Sequence, residues 1–513
     1  MSPNAPETHN GKVLARGYLV LCLALLPLVV FFVLVRPWAQ TADFWETAAT
    51  VRAVSQNFFH PDNPLLALPG DTSPRFTPFT LWWGAVMKSG LNVFAVMALA
   101  GIANYLLFVT GLFRFVRGEF RSLTLPIYVL ITMLIVWGTG YGQANGYQLR
   151  IFLEQLPYVG FFTYGICFHA LVFLRRYLIG KRWEDLVWYA ALMIVAFLTH
   201  PITAAFGFAT AVAVLAAEKN WHQLILMQAI PLLSVAVSLV WPYFDYWSVL
   251  TRGSSEAWFD APLFRNQVEA LGPALIGIPI AVYFAIKKRH LMVVYGLTFC
   301  AAIYAAAYFL QILIGSRFLF YATIFLHLAI AIYLYEHAIH RRRTLDAWLH
   351  GHGYLLIIVF MLFVPSLWYR AHEMAKHLHR FYRPPLHFQT YKSPARDFFF
   401  LENQLDASNV VMAEDTTGWV VPAISGAKIV SPQKGDPLIT GEVTARRAST
   451  KAFFTEQIPT RGRLAILRHY HVTHVLLNEA QREQWDESFL QDLGQISSPQ
   501  ARSGPIVLYR ISI

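Results

Sequence analysis

Apolar runs separated by short basic clusters set the pattern of the first 370 residues. The runs fall near 17–35, 91–113, 123–140, 157–174, 185–199, 201–217, 222–241, 271–286, 291–312, 318–335 and 353–369. A span needs about 20 apolar residues, so these runs predict about eleven membrane crossings, with one short pair able to be re-entrant. Between them Lys12/Arg16, Arg114/Arg117/Arg121, Arg175/Arg176/Lys181/Arg182, Lys219, Lys287/Lys288/Arg289 and Arg341/Arg342/Arg343 all land on one side. Excess Lys and Arg marks cytoplasmic loops. The N-terminus is therefore expected inside, with loops 36–90, 141–156 and 242–270 and the tail outside. The first run is longer than a signal-peptide apolar region and no A-x-A site follows it, so it reads as an uncleaved helix.

The pattern changes near residue 370. Ala395–Leu405 and Arg463–Tyr470 read as helices, and Asn409–Ala413, Ala427–Val430, His474–Leu477 and Ile506–Ile511 as strands. The expected fold class is mainly α: a polytopic membrane helix bundle over residues 1–370, with first outer loop 36–90, and a C-terminal extracytoplasmic soluble α/β domain over 371–513. A tail of roughly 130 residues is long enough to bury its own core. Its glycines (Gly418, Gly426, Gly435, Gly441, Gly504) mark turns and build neither a phosphate loop nor a dinucleotide fingerprint.

Composition agrees with a membrane protein. Of 513 residues 56% are hydrophobic and 14% charged, against roughly 25% charged in soluble domains. The net charge of +11 is dispersed among the loops instead of gathered on one face, which argues against nucleic acid as a partner. Cys22, Cys167 and Cys300 lie inside apolar runs without metal-ligand spacing and read as core residues. No Asn-x-Ser/Thr sequon occurs, which favours a bacterial envelope over a secretory pathway. The expected location is the cell inner membrane, with the tail periplasmic or extracellular.

The chemistry concentrates after the first span. On a helix over Ala42–Phe58, Asp43, Glu46, Thr47, Thr50 and Asn57 share a polar stripe. Carboxylates three apart reach one bound ligand. Asp43 also sits where a helix dipole favours negative charge. A plainer reading makes Asp43 a cap and Glu46 a solvated surface acid. A membrane-surface transferase needs a carboxylate base for the acceptor hydroxyl, worth about 10²–10⁴-fold in rate. It also needs cations where charge develops on the leaving phosphate. Arg75, His200, Arg265 and Arg317 are the candidates on the outer side. His200 precedes Pro201 at a span end, where freed carbonyls must face protein or water. Interfacial anchoring of His200 and snorkelling of Arg317 are their structural alternatives. Asp62, Asp71, Asp245 and Asp260 could serve a divalent metal, but none of their spacings is diagnostic. No cofactor is called for.

These residues resemble the GT-C superfamily of polytopic membrane glycosyltransferases. The likeness lies in Asp43-Phe-Trp-Glu46 after the first span, in Pro74-Arg75-Phe-Thr-Pro78, in His200-Pro201, and in the plan of spans followed by an outer domain. It implies a GT-C-like fold, a polyprenyl-phosphate-linked sugar donor, an inverting mechanism and Asp43 as the catalytic aspartate. The acceptor would be an envelope glycan, lipid or protein. Family members often carry adjacent acids in this loop, whereas here they are three apart, so the base stays open between Asp43 and Glu46. Two other classes compete. A transporter of an envelope lipid would show mid-span charges and related halves. A non-catalytic scaffold would need neither cavity nor path. Few mid-span charges and no internal repeat are present, which places the transferase first.

Overall fold

The computed structural model describes residues 9–35, 42–68, 73–138, 146–252, 261–340, 368–369, 371–372, 375 and 395–512. The apolar run expected at 353–369 lies outside them except for its last two residues, and Asp71 and Asp260 lie outside them as well. The early helices are α1 (His9–Val35), α2 (Ala42–Gln56), α3 (Pro78–Met87), α4 (Val93–Phe120), α5 (Leu125–Ile135), α6 (Leu149–Gln155) and α7 (Val159–Gly180). Next come α8 (Trp183–Thr199), α9 (Pro201–Ala217), α10 (Trp221–Met227), α11 (Ala229–Leu239) and α12 (Tyr246–Arg252). They are followed by α13 (Gln267–Leu271), α14 (Gly277–Ile286), α15 (Leu291–Phe309) and α16 (Phe318–His340). Among the described residues, each apolar run before residue 340 thus lies mostly on helical segments.

Among the described residues, six helical stretches are long and apolar enough to cross a membrane: Arg16–Leu34, Val93–Phe120, Trp221–Leu239, Gln267–Ile286, Leu291–Phe309 and Leu313–His337. A seventh arises if α6 and α7, bent by 103° at their break, form one span. α5 and α9 are apolar but shorter. The chain is a multi-pass membrane protein.

Contacts divide it into two compact units. The first comprises Met1–Phe32, Gly101–Val237 and Ser255–His379, and the second Val33–Ala100, Ser238–Ser254 and Arg380–Ile513. Within the first, tyrosine hydroxyls near the ends of apolar side chains find backbone partners, as buried tyrosines must. Tyr18 donates to the Val109 carbonyl at 2.8 Å and Tyr105 to that of Cys22 at 2.6 Å, stitching α1 to α4. A Cβ at Gly207 would stand 2.8 Å from both Cys167 Sγ and Met193 Cε, so glycine sets the close approach of α7, α8 and α9.

The second unit is built on a five-stranded sheet of order β2-β1-β3-β5-β4. Its strands are β1 (Val410–Met412), β2 (Lys428–Ile429), β3 (His474–Asn478), β4 (Ser497–Ser503) and β5 (Ile506–Ile511). β1 runs parallel to β2 and β3, while β5 is antiparallel to β3 and β4 to β5. Around them lie α17 (Asp415–Gly418), α18 (Val421–Ser425), α19 (Thr440–Thr455), α20 (Thr460–His469) and α21 (Glu487–Ile496). Met412, Phe453, Leu467, Val475, Leu477 and Phe489 form the heart of a buried cluster on one face of the sheet. The helix expected over Ala395–Leu405 is a 3₁₀ segment over Ala395–Asn403. β4 had no apolar alternation to announce it: Ser-Ser-Pro-Gln-Ala-Arg-Ser is a polar edge strand whose register shifts between Pro499 and Ala501.

Residues from the first outer loop complete this unit. Leu66 bridges Ile429 in parallel, and Ile429 N–H donates to the Leu65 carbonyl at 2.8 Å, so the sheet continues past β2. Lys428, buried in the strand, donates to the Asn63 carbonyl. Arg52 of α2 reaches the last carbonyls of α18, donating to Ala423 at 3.0 Å and Ile424 at 2.8 Å. Those carbonyls have no intrahelical partner. Gly426 ends α18 at φ +85°, a left-handed position that glycine adopts without cost.

Candidate functional site

Asp43 and Glu46 both lie on the first turns of α2, yet their surroundings differ. Glu46 is 5% exposed. Arg75 donates to its Oε2 from Nε at 2.9 Å and Nη2 at 2.8 Å, and Trp419 Nε1 donates to its Oε1 at 3.2 Å. Charge-assisted donors on both oxygens hold Glu46 as a buried, paired anion. The Asp43 side chain is 47% exposed and pairs with the Lys434 ammonium. The bland alternative of a solvated Glu46 is thus not what the fold builds.

Arg75 is placed by a turn just before α3. Its N–H donates to Ser73 Oγ at 3.3 Å, Phe76 N–H to the Ser73 carbonyl at 3.2 Å, and Thr80 Oγ1 to the Arg75 carbonyl at 2.7 Å. Thr77 N–H donates to Thr80 Oγ1 at 2.9 Å and Pro78 opens the helix, a start suited to both residue types. The guanidinium also donates from Nη1 to Asp436 Oδ2 at 3.4 Å. Burial works to lower the Arg75 pKa, but the Glu46 and then the Asp436 carboxylates outweigh it and hold it above the ordinary arginine value.

Lys434 and Asp436 come from the loop between β2 and α19. Arg447 Nε donates to the Pro432 carbonyl at 3.1 Å and its Nη2 to that of Gln433, while Arg446 Nη1 donates to Val430 at 3.3 Å. Ser431 Oγ donates to Asp415 Oδ1 at 2.7 Å, and Leu438 N–H to Asp436 Oδ1 at 3.0 Å. These bonds fix the loop at both ends. Burial pushes the Lys434 amine down to about 8.

The other expected residues fall elsewhere. His200 caps α9, with Nδ1 accepting from Thr203 N–H at 3.3 Å and 2.7 Å from Thr203 Oγ1. Its neighbour Ile202 accepts from Tyr321 at 2.6 Å, and the Arg317 charge acts on His200. Both belong to the first unit, whereas Asp43, Glu46 and Arg75 belong to the second. Arg265 is exposed beyond a 3₁₀ turn. Asp245 caps α12, its carboxylate accepting from Ser248 N–H at 3.2 Å and Ser248 Oγ at 2.5 Å, and Asp62 is exposed. Among the described residues no three His, Cys, Asp or Glu side chains converge as a metal cluster. The arrangement offers a half-exposed carboxylate able to take a proton, Asp43, paired with the Lys434 ammonium, and, on the same helix and the same loop, a buried Glu46–Arg75–Asp436 cluster. Trp419, Lys434 and Asp436 carry no local signal of this role in the sequence; the Lys434-Gly435-Asp436-Pro437 turn announces only a charged loop.

No family model matches the sequence, and no curated protein does. Solved structures do. The chain is similar to the archaeal oligosaccharyltransferase AglB from Archaeoglobus fulgidus in complex with an inhibitory peptide and a dolichol-phosphate, at TM-score 0.54 and 12% identity, over 96% of this chain and 74% of that one. The same oligosaccharyltransferase tethered to an acceptor peptide containing the NVT sequon matches at TM-score 0.53 and 12% identity, over 97% and 74%. ArnT from Cupriavidus metallidurans bound to undecaprenyl phosphate matches at TM-score 0.54 and 15% identity, over 96% of this chain and 98% of that one. With these likenesses running over nearly its whole length, the chain has the fold of the GT-C membrane glycosyltransferases.

Proposed function

We propose that the protein is an inverting membrane glycosyltransferase that moves a sugar from a polyprenyl-phosphate carrier to an envelope glycan, lipid or protein outside the cytoplasmic membrane. The observation that carries this reading is the end-to-end fold match to a structure bound to undecaprenyl phosphate. In the proposed reaction the acceptor hydroxyl oxygen attacks the anomeric carbon and its proton passes to the Asp43 carboxylate. The bond from that carbon to the carrier phosphate breaks, and the lipid phosphate leaves with the electron pair. Asp43 is preferred over Glu46 as base because its carboxylate is half-exposed, while both Glu46 oxygens already accept hydrogen bonds in a buried ion pair. Arg75 then acts as a positioning residue, and His200 and Arg317 as substrate-binding groups. The basic clusters support an N-terminus inside, about eleven crossings on the length criterion, and residues 371–513 as an outer domain.

The test is sugar transfer by the purified full-length protein in nanodiscs, with a panel of polyprenyl-phosphate sugars and an envelope extract as acceptor. Wild type transfers sugar; Asp43→Asn loses about 10²–10⁴-fold in turnover with the donor still bound. Full activity in Asp43→Asn would remove Asp43 from the mechanism, and a wild type that consumes no donor would remove the activity itself.

A further inference from the structure

We propose that Lys434 masks the Asp43 carboxylate in the substrate-free protein and leaves it to bind the phosphate of the incoming ligand, so that donor binding and exposure of the base are one event. This rests on the reading of Asp43 as the base. The ligand chemistry is a phosphate group, whether on a polyprenyl carrier or free.

The two cations beside the carboxylates are not equivalent. Arg75 is committed: its Nε and Nη2 are on Glu46, and its Nη1 is on Asp436 at 3.4 Å. Moving it would strand two buried carboxylates, 5% and 4% exposed. Lys434 is at the rim, with its side chain 27% exposed and that of its partner Asp43 47% exposed. Its loop is pinned by Arg446 and Arg447, so the backbone stays while the four-carbon stem swings. A compact ammonium on a flexible stem suits such an exchange better than a planar guanidinium. The loop is open at the next residue, Gly435, where a Cβ would meet no atom of the described residues within 4 Å beyond its chain neighbours. Burial also pushes the amine down to about 8. A phosphate supplies more negative charge and more acceptor oxygens than one carboxylate. No bond is made or broken and no proton is exchanged in this step; one ion pair replaces another.

Equilibrium binding of undecaprenyl phosphate to the full-length protein in nanodiscs at pH 7 tests the proposal, with inorganic phosphate as a second probe. Lys434→Met binds about tenfold more weakly than wild type, the loss of one charge-assisted contact. Asp43→Asn binds several-fold more tightly, because the lysine no longer has to leave a carboxylate. In the double variant the Asp43→Asn gain disappears, whereas simple relief of repulsion between Asp43 and the phosphate would preserve it. Displacement of the lipid by inorganic phosphate with the same Lys434 dependence assigns recognition to the phosphate group. A Lys434 dependence confined to the lipid assigns it to the carrier. Unchanged affinity in Lys434→Met, or weakened affinity in Asp43→Asn, overturns the masking. Should Lys434→Met fail to fold, Lys434→Gln takes its place in both the single and the double variant. Full turnover by Asp43→Asn would reject the base and leave the binding result standing, so the two failures are separable.

Discussion

At the scale of single residues, two carboxylates three positions apart on one helix have been given different physical tasks. Asp43→Asn, half-exposed, is expected to cut transfer about 10²–10⁴-fold while leaving the melting temperature nearly unchanged. Glu46→Gln removes the charge that balances Arg75 in a site 5% exposed, and Arg75→Met strands Glu46 and Asp436 together. Breaking a buried pair costs about 3–5 kcal/mol, so these two variants lower the unfolding temperature markedly, Arg75→Met most. Equal melting temperatures across the three would contradict the division of roles. A second prediction concerns pH. Lys434, facing Asp43 and two residues from Asp436, has its amine pushed down to about 8. It is charged below that value and loses its proton as pH rises through it. Carrier-phosphate affinity should therefore fall between pH 7 and 9 in wild type and stay flat in Lys434→Arg, whose guanidinium keeps its charge. Isothermal titration at a series of pH values reads the difference.

At the scale of elements, the site depends on how closely α2 lies on α3, because Glu46 is on the first and Arg75 just precedes the second. Gly84 permits that approach: a Cβ there would stand 2.6 Å from Val54 Cβ and 3.2 Å from the Val51 carbonyl. Gly84→Val overpacks this contact, at about 1–3 kcal/mol, and should lower both the unfolding temperature and the transfer rate. A variant with full rate and stability would show that the helix pair tolerates separation and that the ion pair follows it. The helices themselves were legible beforehand. Runs such as 201–217 become α9 without adjustment, because a continuous apolar stretch opened by His200-Pro201 has one sensible local structure. β4 was not legible, because an exposed polar edge strand is specified by its neighbour's backbone and not by its own side chains.

At the scale of the whole molecule, the tail is not self-contained. The cluster around Phe453 and Phe489 is its own, but β2 continues into Leu65 and Leu66, and the carbonyls ending α18 are answered by Arg52. Residues 395–513 produced alone would expose the β2 edge and unpaired polar groups, and exposed edges pair with other chains. The fragment is expected to self-associate on size exclusion, and a fusion carrying residues 42–87 through a flexible linker to be monomeric. A monodisperse, stable fragment would show the tail to be independent.

The sequence by itself determined the membrane character, the helices of the apolar runs, most strands of the tail sheet and the presence of Asp43 and Glu46 on one face of one helix. Each is a short-range property, set by hydrophobic periodicity and local backbone preference over a few turns. Only the tertiary structure decided which cation answers which carboxylate. Arg75 lies 29 residues from Glu46, and Lys434 lies 391 from Asp43. Such pairings are fixed by where the sheet and its loops bring the chain back. Charge and burial at those points then leave one of two similar acids buried and doubly bonded and the other half-exposed against a single ammonium.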